Sequence, residues 1–185
     1  RPTTLAFVTL TDGQARYAFY DENTALRALT PAEMPPLPDR VRALFLGGIS
    51  LVSEPCGTAF EALAGRAGDR VVMPVPNLRR GFPRSGPAYR ARLARLIARA
   101  DILKLSDEDL RWLAPDRPEA EALAALRAAG PALVLVTRGA AGAEAHLAGA
   151  VLRVPAVPVT VADTVGAGDT FNAGALAALH AAGAL

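Results

Sequence analysis

The sequence is poor in the residues on which disulfide scaffolds and metal cages depend. One cysteine, two histidines and one tryptophan are spread over 185 residues. The single thiol, Cys56, allows no internal disulfide, which fits a reducing compartment. It stands between Pro55 and Gly57 without a CxxC partner and reads as a packed structural thiol, not a nucleophile. His146 and His180 have no ligand spacing. Charge of one sign is also missing: 20 basic residues face 18 acidic ones, a net charge of +2. No strong field results, so composition makes no case for nucleic acid as a partner. Arginines do gather at Arg79-Arg80 and from Arg90 to Arg99, where a solvated helix face opposite alanine and leucine is expected. Long apolar runs are absent. The clearest, Ala132 to Val136, has strand length. No membrane span or signal peptide is expected, and a cytoplasmic location follows as an expectation. What the chain has is 51% hydrophobic and 21% charged residues, enough for one globular domain with a sizeable core. It opens without Met and stops at Ala182-Gly183-Ala184-Leu185, so both ends read as cut.

Leu5 to Leu10 and Ala15 to Tyr20 read as strands around the turn signal Thr11-Asp12-Gly13. Alternation places Tyr17 and Phe19 on one face of that hairpin. Pro31 to Pro38 is an exposed connection. A strand–helix rhythm follows. Strands are expected over Ala43–Leu46, Arg70–Val75, Ile102–Leu105 and Leu133–Thr137. Helices are expected over Thr58–Ala67, Ser85–Arg99 (capped by Ser85), Ser106–Leu113 and Glu119–Ala129. Short connections between them predict a mostly parallel sheet covered by helices. Gly142–Leu147 and Val151–Val154 predict a second hairpin, a small lobe beside the main domain. Val157 to Val161 is expected to be extended and to lead into a last, alanine-rich helix bearing Phe171, Ala175, Leu176 and Leu179.

The chemistry is concentrated in Asp163-Thr164-Val165-Gly166-Ala167-Gly168-Asp169-Thr170-Phe171. Small residues before a helix let an anion approach the backbone, and the helix start offers unpaired N–H donors and the positive end of a dipole. Asp169 could accept a proton from an attacking hydroxyl. The plain alternative is that Asp169 or Thr170 caps the helix.

Asp163 to Phe171, D-T-x-G-A-G-D-T-F, resembles the second signature of the ribokinase-like carbohydrate kinases, the PfkB family. Similarity in the same order extends over nearly all of this chain, which covers the middle and later part of the family fold. The resemblance implies a single partial domain over 1–185, three-layer α/β/α with a mostly parallel sheet and a small β lid. The lid strands fall within about 1–30 and the nucleotide-binding part within about 100–185. It implies ATP-dependent transfer to a sugar primary hydroxyl, fructose to fructose 6-phosphate first. 2-Keto-3-deoxygluconate, or a catalytically incomplete nucleotide-binding fragment, is the alternative. Asp169 inherits the base role, and the backbone of Gly166, Ala167 and Gly168 the anion hole. ATP and Mg²⁺ are the implied cofactors, with K⁺ as a monovalent ion held by Asp163 and the Val165 carbonyl.

Weaker segments fall into the same frame. Thr137-Arg138-Gly139-Ala140-Ala141-Gly142 resembles the family's T-x-G-x-x-G loop, which assigns Thr137, Gly139 and Gly142 to the nucleotide; a glycine turn is the plain alternative. Ser106 and Asp109 pair as a helix cap. The resemblance adds Ser106 to the nucleotide side and gives Asp109 a role on Mg²⁺ through water. Val75-Pro76-Asn77-Leu78-Arg79 resembles D-P-N-x-R with Val75 in place of Asp, leaving Asn77 and Arg79 for sugar or phosphate, or as turn residues. Thr3 to Val8 with Tyr17 to Tyr20 resembles the lid-strand region of bacterial fructokinases and 2-keto-3-deoxygluconate kinases, so Phe19 or Tyr17 packs on the sugar or in the core. The lid strands are also the homodimer contact that the family offers.

Overall fold

A computed structural model describes residues 1–11, 14–77 and 86–185. Strands β1 (Leu5–Thr11) and β2 (Gln14–Tyr20) pair antiparallel from Leu5 opposite Tyr20 to Thr11 opposite Gln14. The turn residues Asp12 and Gly13 lie outside the described residues. Tyr17 and Phe19 do share a face, with rings stacked 5.8 Å apart and 10° from parallel. Phe7 and Tyr20 meet edge-on at 5.4 Å on the other face. The base of the hairpin is tied down by the buried Asp21, whose carboxylate accepts from the Ser53 hydroxyl at 2.6 Å and the Arg27 guanidinium at 3.0 Å.

The alternating part follows in the expected order: β3 (Ala43–Gly47), α1 (Cys56–Gly65), β4 (Val71–Val75), α2 (Pro87–Arg99), β5 (Ile102–Ser106), α3 (Asp107–Leu113), α4 (Glu119–Ala128) and β6 (Leu133–Thr137). Strand β3 is parallel to β4, and β5 to β6. Strands β4 and β5 start side by side: the Asp101 N–H donates to the Val72 carbonyl at 3.0 Å, and the Asp101 carboxylate accepts from the Val72 N–H at 2.8 Å. The carboxyl ends at Gly47, Val75, Ser106 and Thr137 therefore lie along one edge. The second hairpin, β7 (Ala143–Leu147) and β8 (Ala150–Val154), is not a separate lobe. Strand β7 pairs antiparallel with β6, so the hairpin continues the sheet in the order β5-β6-β7-β8. The last helix, α5, runs from Ala167 to Ala181.

Side-chain alternation sorts the core into layers. Leu44, Leu46 and Val72 pack with α1 and α2 residues such as Ala59, Leu63, Leu93 and Leu96. Leu103, Leu105, Val134 and Val136 pack with Ile97, Leu110 and Leu123 of α2, α3 and α4. The opposite face carries Met73, Val75, Ile102 and Leu135, and here Phe171, Ala175, Leu176 and Leu179 of α5 settle. The three-layer expectation is met. No helix among the described residues is long and apolar enough to cross a membrane.

Three expectations need correction. Val157 to Val161 forms no strand: Val157 is 79% exposed, and no ladder partner exists for the segment among the described residues. Pro158 has no N–H to donate, which removes a ladder bond from a stretch this short. Helix α2 starts at Pro87 after Gly86, with proline in its favoured first position; Ser85 lies outside the described residues. The arginines of α2 are not all on a solvated face. Arg92 is 4% exposed, donates to the Leu51 carbonyl at 2.8 Å, and pairs with Glu54 and, at 3.5 Å, with Glu61. Gly57 leaves the room, since a Cβ there would run into the Arg92 guanidinium. Arg90 lies 3.8 Å over the Trp112 ring, and Trp112 packs α3 against the core. Cys56 is buried, as a structural thiol should be.

Replacing Arg92 with Met removes the cation from Glu54 and Glu61 and orphans a carbonyl. A loss of about 3 kcal/mol is expected, the low end for a broken buried pair, because Glu54 still reaches water. Urea unfolding checks it; a change inside about 0.5 kcal/mol, ordinary for surface positions, contradicts the burial.

Candidate active site

The edge where the parallel strands end collects most of the singled-out residues. Ser106 and Thr137 are opposite each other in the β5–β6 register, and the Thr137 hydroxyl donates to the Leu105 carbonyl at 3.3 Å. The Ser106 hydroxyl accepts from the Asp109 N–H at 3.0 Å while the Asp109 carboxylate accepts from the Ser106 N–H at 2.9 Å. The capping box read in the sequence is thus formed, with Asp109 buried at the start of α3. After β4, Asn77 takes a left-handed backbone (φ 46°), and Arg79 lies outside the described residues. Val75, where the resemblance expects Asp, is buried in the apolar cluster beneath α5. Tyr17 and Phe19 belong to the separate β1–β2 sheet.

Beyond β6, the chain closes a tight turn: the Arg138 N–H donates to the Gly142 carbonyl at 2.8 Å and the Gly142 N–H to the Gly139 carbonyl at 3.0 Å. Gly142 is required sterically. Its φ is +93°, and a Cβ there would collide with the Val154 carbonyl oxygen and lie 2.9 Å from the Pro155 and Ala156 backbone. Arg138 is held between Glu119 and Glu144, and Glu144 also binds Arg153 and His146, each at 2.9 Å. The hydrogen bond from Arg138, reinforced by Arg153 and His146, pulls the Glu144 carboxyl down to about 2.

The motif loop turns into α5 at Gly166, whose φ of +77° is left-handed and costs glycine nothing. Ahead of it, the Asp163 carboxylate accepts from the Val165 N–H at 2.8 Å, fixing the bend. The first helical bond runs from the Thr170 N–H to the Gly166 carbonyl at 2.8 Å. The N–H groups of Gly168 and Asp169 are left at an exposed helix start, with no backbone acceptor among the described residues. Asp169 projects from this first turn and is exposed. One turn below it Asn172 is 4% exposed, and its carbonyl oxygen has no hydrogen-bond partner among the described residues. Amide donors, a dipole's positive end and a carboxylate beside them make an arrangement that can receive a phosphate and a proton.

Sequence reasoning gave no role to Lys104, which is 5% exposed at the middle of β5. Its ammonium nitrogen lies 3.8 Å from where a Cβ on Gly168 would stand. The signal was available: a lysine interrupts Ile102-Leu103-Lys104-Leu105, a strand that is otherwise apolar on both faces. No group of three or more His, Cys, Asp or Glu residues able to hold a metal ion exists among the described residues.

The sequence model of the pfkB family carbohydrate kinases matches residues 1–185. A fructokinase of Rhizobium leguminosarum bv. trifolii is 48% identical over 180 residues, 97% of this chain and 55% of the relative. A Klebsiella pneumoniae fructokinase is 38% identical over 175 residues, 92% of this chain and 56% of the relative. Among solved structures, Vibrio cholerae O395 fructokinase in its fructose, ADP and calcium ion bound form superposes with a TM-score of 0.82 at 26% identity, over 94% of this chain and 58% of that one. Xylella fastidiosa fructokinase with bound ATP gives a TM-score of 0.82 at 26% identity, over 96% and 56%. The chain spans about half the length of the relatives it matches.

Two outcomes test the local geometry. Gly142→Ala is expected to lose at least about 2 kcal/mol, the scale of forced backbone strain, as read by thermal unfolding. Glu144→Gln should destabilise at neutral pH and lose its effect in acid. The folded carboxyl sits below its unfolded value, so its contribution is full above about pH 4.5 and gone once the pH falls through about 2. A mutant deficit that stays constant from pH 7 to 2 refutes the ion cluster as its cause.

Proposed function

Since the chain belongs to the pfkB family of carbohydrate kinases, we propose that the protein it comes from transfers the γ-phosphoryl group of ATP to the primary hydroxyl of fructose. The observation that carries this is the exposed start of α5, where the Gly166, Ala167 and Gly168 backbone meets the Asp169 carboxylate. Phosphoryl transfer asks for positioning and charge stabilisation more than covalent chemistry. The helix-start amides hold the phosphoryl oxygens. Asp169 takes the proton of the attacking hydroxyl. Fructose ranks above 2-keto-3-deoxygluconate because the fructokinase relatives reach 48% identity.

Residues 100–185 form the nucleotide part of one kinase domain. Thr137, Gly139 and Ser106, at neighbouring strand ends, contribute to the nucleotide side. Gly142 supports that loop by its shape. Asn77 and Arg79 serve the sugar or phosphate. The donor set suits an ion carried largely by phosphate and water: Asp109 is committed to its cap, and carboxylates are sparse at this edge. Mg²⁺ on the nucleotide supplies charge neutralisation when bound. Asp163 and the Val165 carbonyl are the chain's share of a K⁺ site. The hairpin over about 1–30 is the lid. Its half-buried Tyr17–Phe19 face covers the sugar, and its exposed Leu5, Phe7 and Tyr20 face meets a second copy; a bare two-stranded hairpin is marginal in water. The reducing, cytoplasmic setting agrees with one buried thiol.

In the full-length kinase, Asp169→Ala should cut kcat by about 10²- to 10⁴-fold, the range for a lost general base. Gly168→Val should abolish turnover with little effect on folding, because a Cβ there meets only Lys104 at ordinary contact distance. A coupled ADP-release assay over a sugar panel reads both. Turnover independent of Asp169 sinks the reading, and nucleotide binding without turnover on any sugar favours a non-catalytic role.

A further inference from the structure

The β6–β7 ladder ends where Thr137 stands opposite Ala143, and the turn Arg138-Gly139-Ala140-Ala141-Gly142 projects beyond it at the carboxyl edge of the sheet. Three backbone bonds shape this turn: Arg138 N–H to the Gly142 carbonyl, Gly142 N–H to the Gly139 carbonyl, and Ala141 N–H to the Arg138 carbonyl at 3.1 Å. All three close within the turn, so they fix its shape but not its tilt on the ladder. The fit of Gly142 against the Val154 carbonyl seats one end. Gly139, Ala140 and Ala141 are exposed and carry no side chain long enough to tie down the other. Arg138 does carry one. Its guanidinium donates to both carboxylate oxygens of Glu119, the first residue of α4, and at 2.9 Å to Glu144 of β7. Glu144 is braced in turn by Arg153, directly opposite it on β8, and by His146 on the same face of its strand. The Arg138 and Glu144 side chains are 21% and 15% exposed, which separates this network from surface pairs that hold nothing in place.

We propose that Arg138 is a positioning residue of the nucleotide site, its guanidinium bridging Glu119 and Glu144 so that the turn presents the Gly139 backbone to ATP at one fixed angle. The proposal rests on the kinase reading above, in which Thr137 and Gly139 meet the nucleotide. Arg138 acts through the turn and not by its charge: two carboxylates face it, and with Arg153 the network sets two cations against two anions. What it supplies is pre-organisation. A turn of glycine and alanine without this tether samples several tilts, and binding a nucleotide then costs the ordering of the turn. Once the nucleotide is bound the geometry is regained, so the loss falls on nucleotide affinity and not on the chemical step.

The test uses the full-length kinase with Arg138→Met, Arg138→Lys, Glu119→Gln and the Arg138→Met/Glu119→Gln double variant. Arg138→Met should raise KM for ATP and the equilibrium Kd of ADP about tenfold, within the range for residues coupled in one network, while kcat at saturating ATP and KM for fructose stay within about twofold. Arg138→Lys keeps the charge but should recover only part, because one ammonium cannot match a fork that spans two carboxylates. Glu119 has a 51% exposed side chain, so Glu119→Gln leaves the fold intact. It should raise the ADP Kd about threefold on its own and not at all once Arg138 is Met. Should Arg138→Met not fold, the Glu119→Gln shift decides alone. An ADP Kd unchanged in Glu119→Gln or in folded Arg138→Met overturns the assignment, and so do additive effects in the double variant. A loss shared equally by KM for ATP, KM for fructose and kcat overturns it too, since that marks a general loosening of the fold. A wild-type kinase that binds neither ATP nor ADP overturns the kinase reading itself; one that binds both and is indifferent to Arg138 leaves that reading standing without this proposal.

Discussion

The phosphate site proposed at the start of α5 depends on the helix having its apolar side fixed on the sheet. Phe171, Ala175, Leu176 and Leu179 hold it against Met73, Val75, Ile102 and Leu135, which sets both where the helix begins and where it points. Two devices then finish the site. Gly166 turns the chain left-handed at the cap, and the Asp163 carboxylate takes up the Val165 N–H so that the loop keeps its shape. Without that docking the loop would be a short glycine-containing stretch with no fixed direction, and a carboxylate three residues into a helix would be an ordinary favourable charge at a dipole.

The other layers are arranged so that this face stays available. Helices α1 to α4 bury the opposite side of the strands, and several charged residues on and beside them are engaged in ion pairs. Arg92 ties α2 to the start of α1, Arg99 pairs with Asp101 at 3.1 Å, and Arg138 and Arg153 converge on Glu144. These arginines are held in structural pairs and are not gathered into one anion-binding patch.

The alternating elements were legible because apolar runs of strand length fall between helical stretches with proline and glycine stops; Leu133–Thr137 matches to the residue. The cap at Ser106 and Asp109 was legible for a local reason, since both partners lie within one turn. What escaped was decided by tertiary neighbours. Arg92 looked like one more arginine on a solvated face until Gly57 and Glu54 were placed opposite it. Val157 to Val161 was expected to be extended, but a strand exists only with a partner, and Pro158 weakens its claim on one. The expected separate hairpin lobe joined the sheet because β6 had a free edge to offer β7. Within the site, the motif named Asp169 and its glycines; the lysine beneath them emerged only from which face of β5 meets α5.

Val75 shows how these points connect. The resembling pattern has an acid at this position, where this chain has valine. In the fold Val75 and Lys104 lie on the same face of neighbouring strands, both towards α5. Valine instead packs with Met73, Ile102 and Leu135 beneath α5. The departure from the acid of the resembling pattern thus adds to the apolar seat on which α5 docks, the contact that sets where the helix begins.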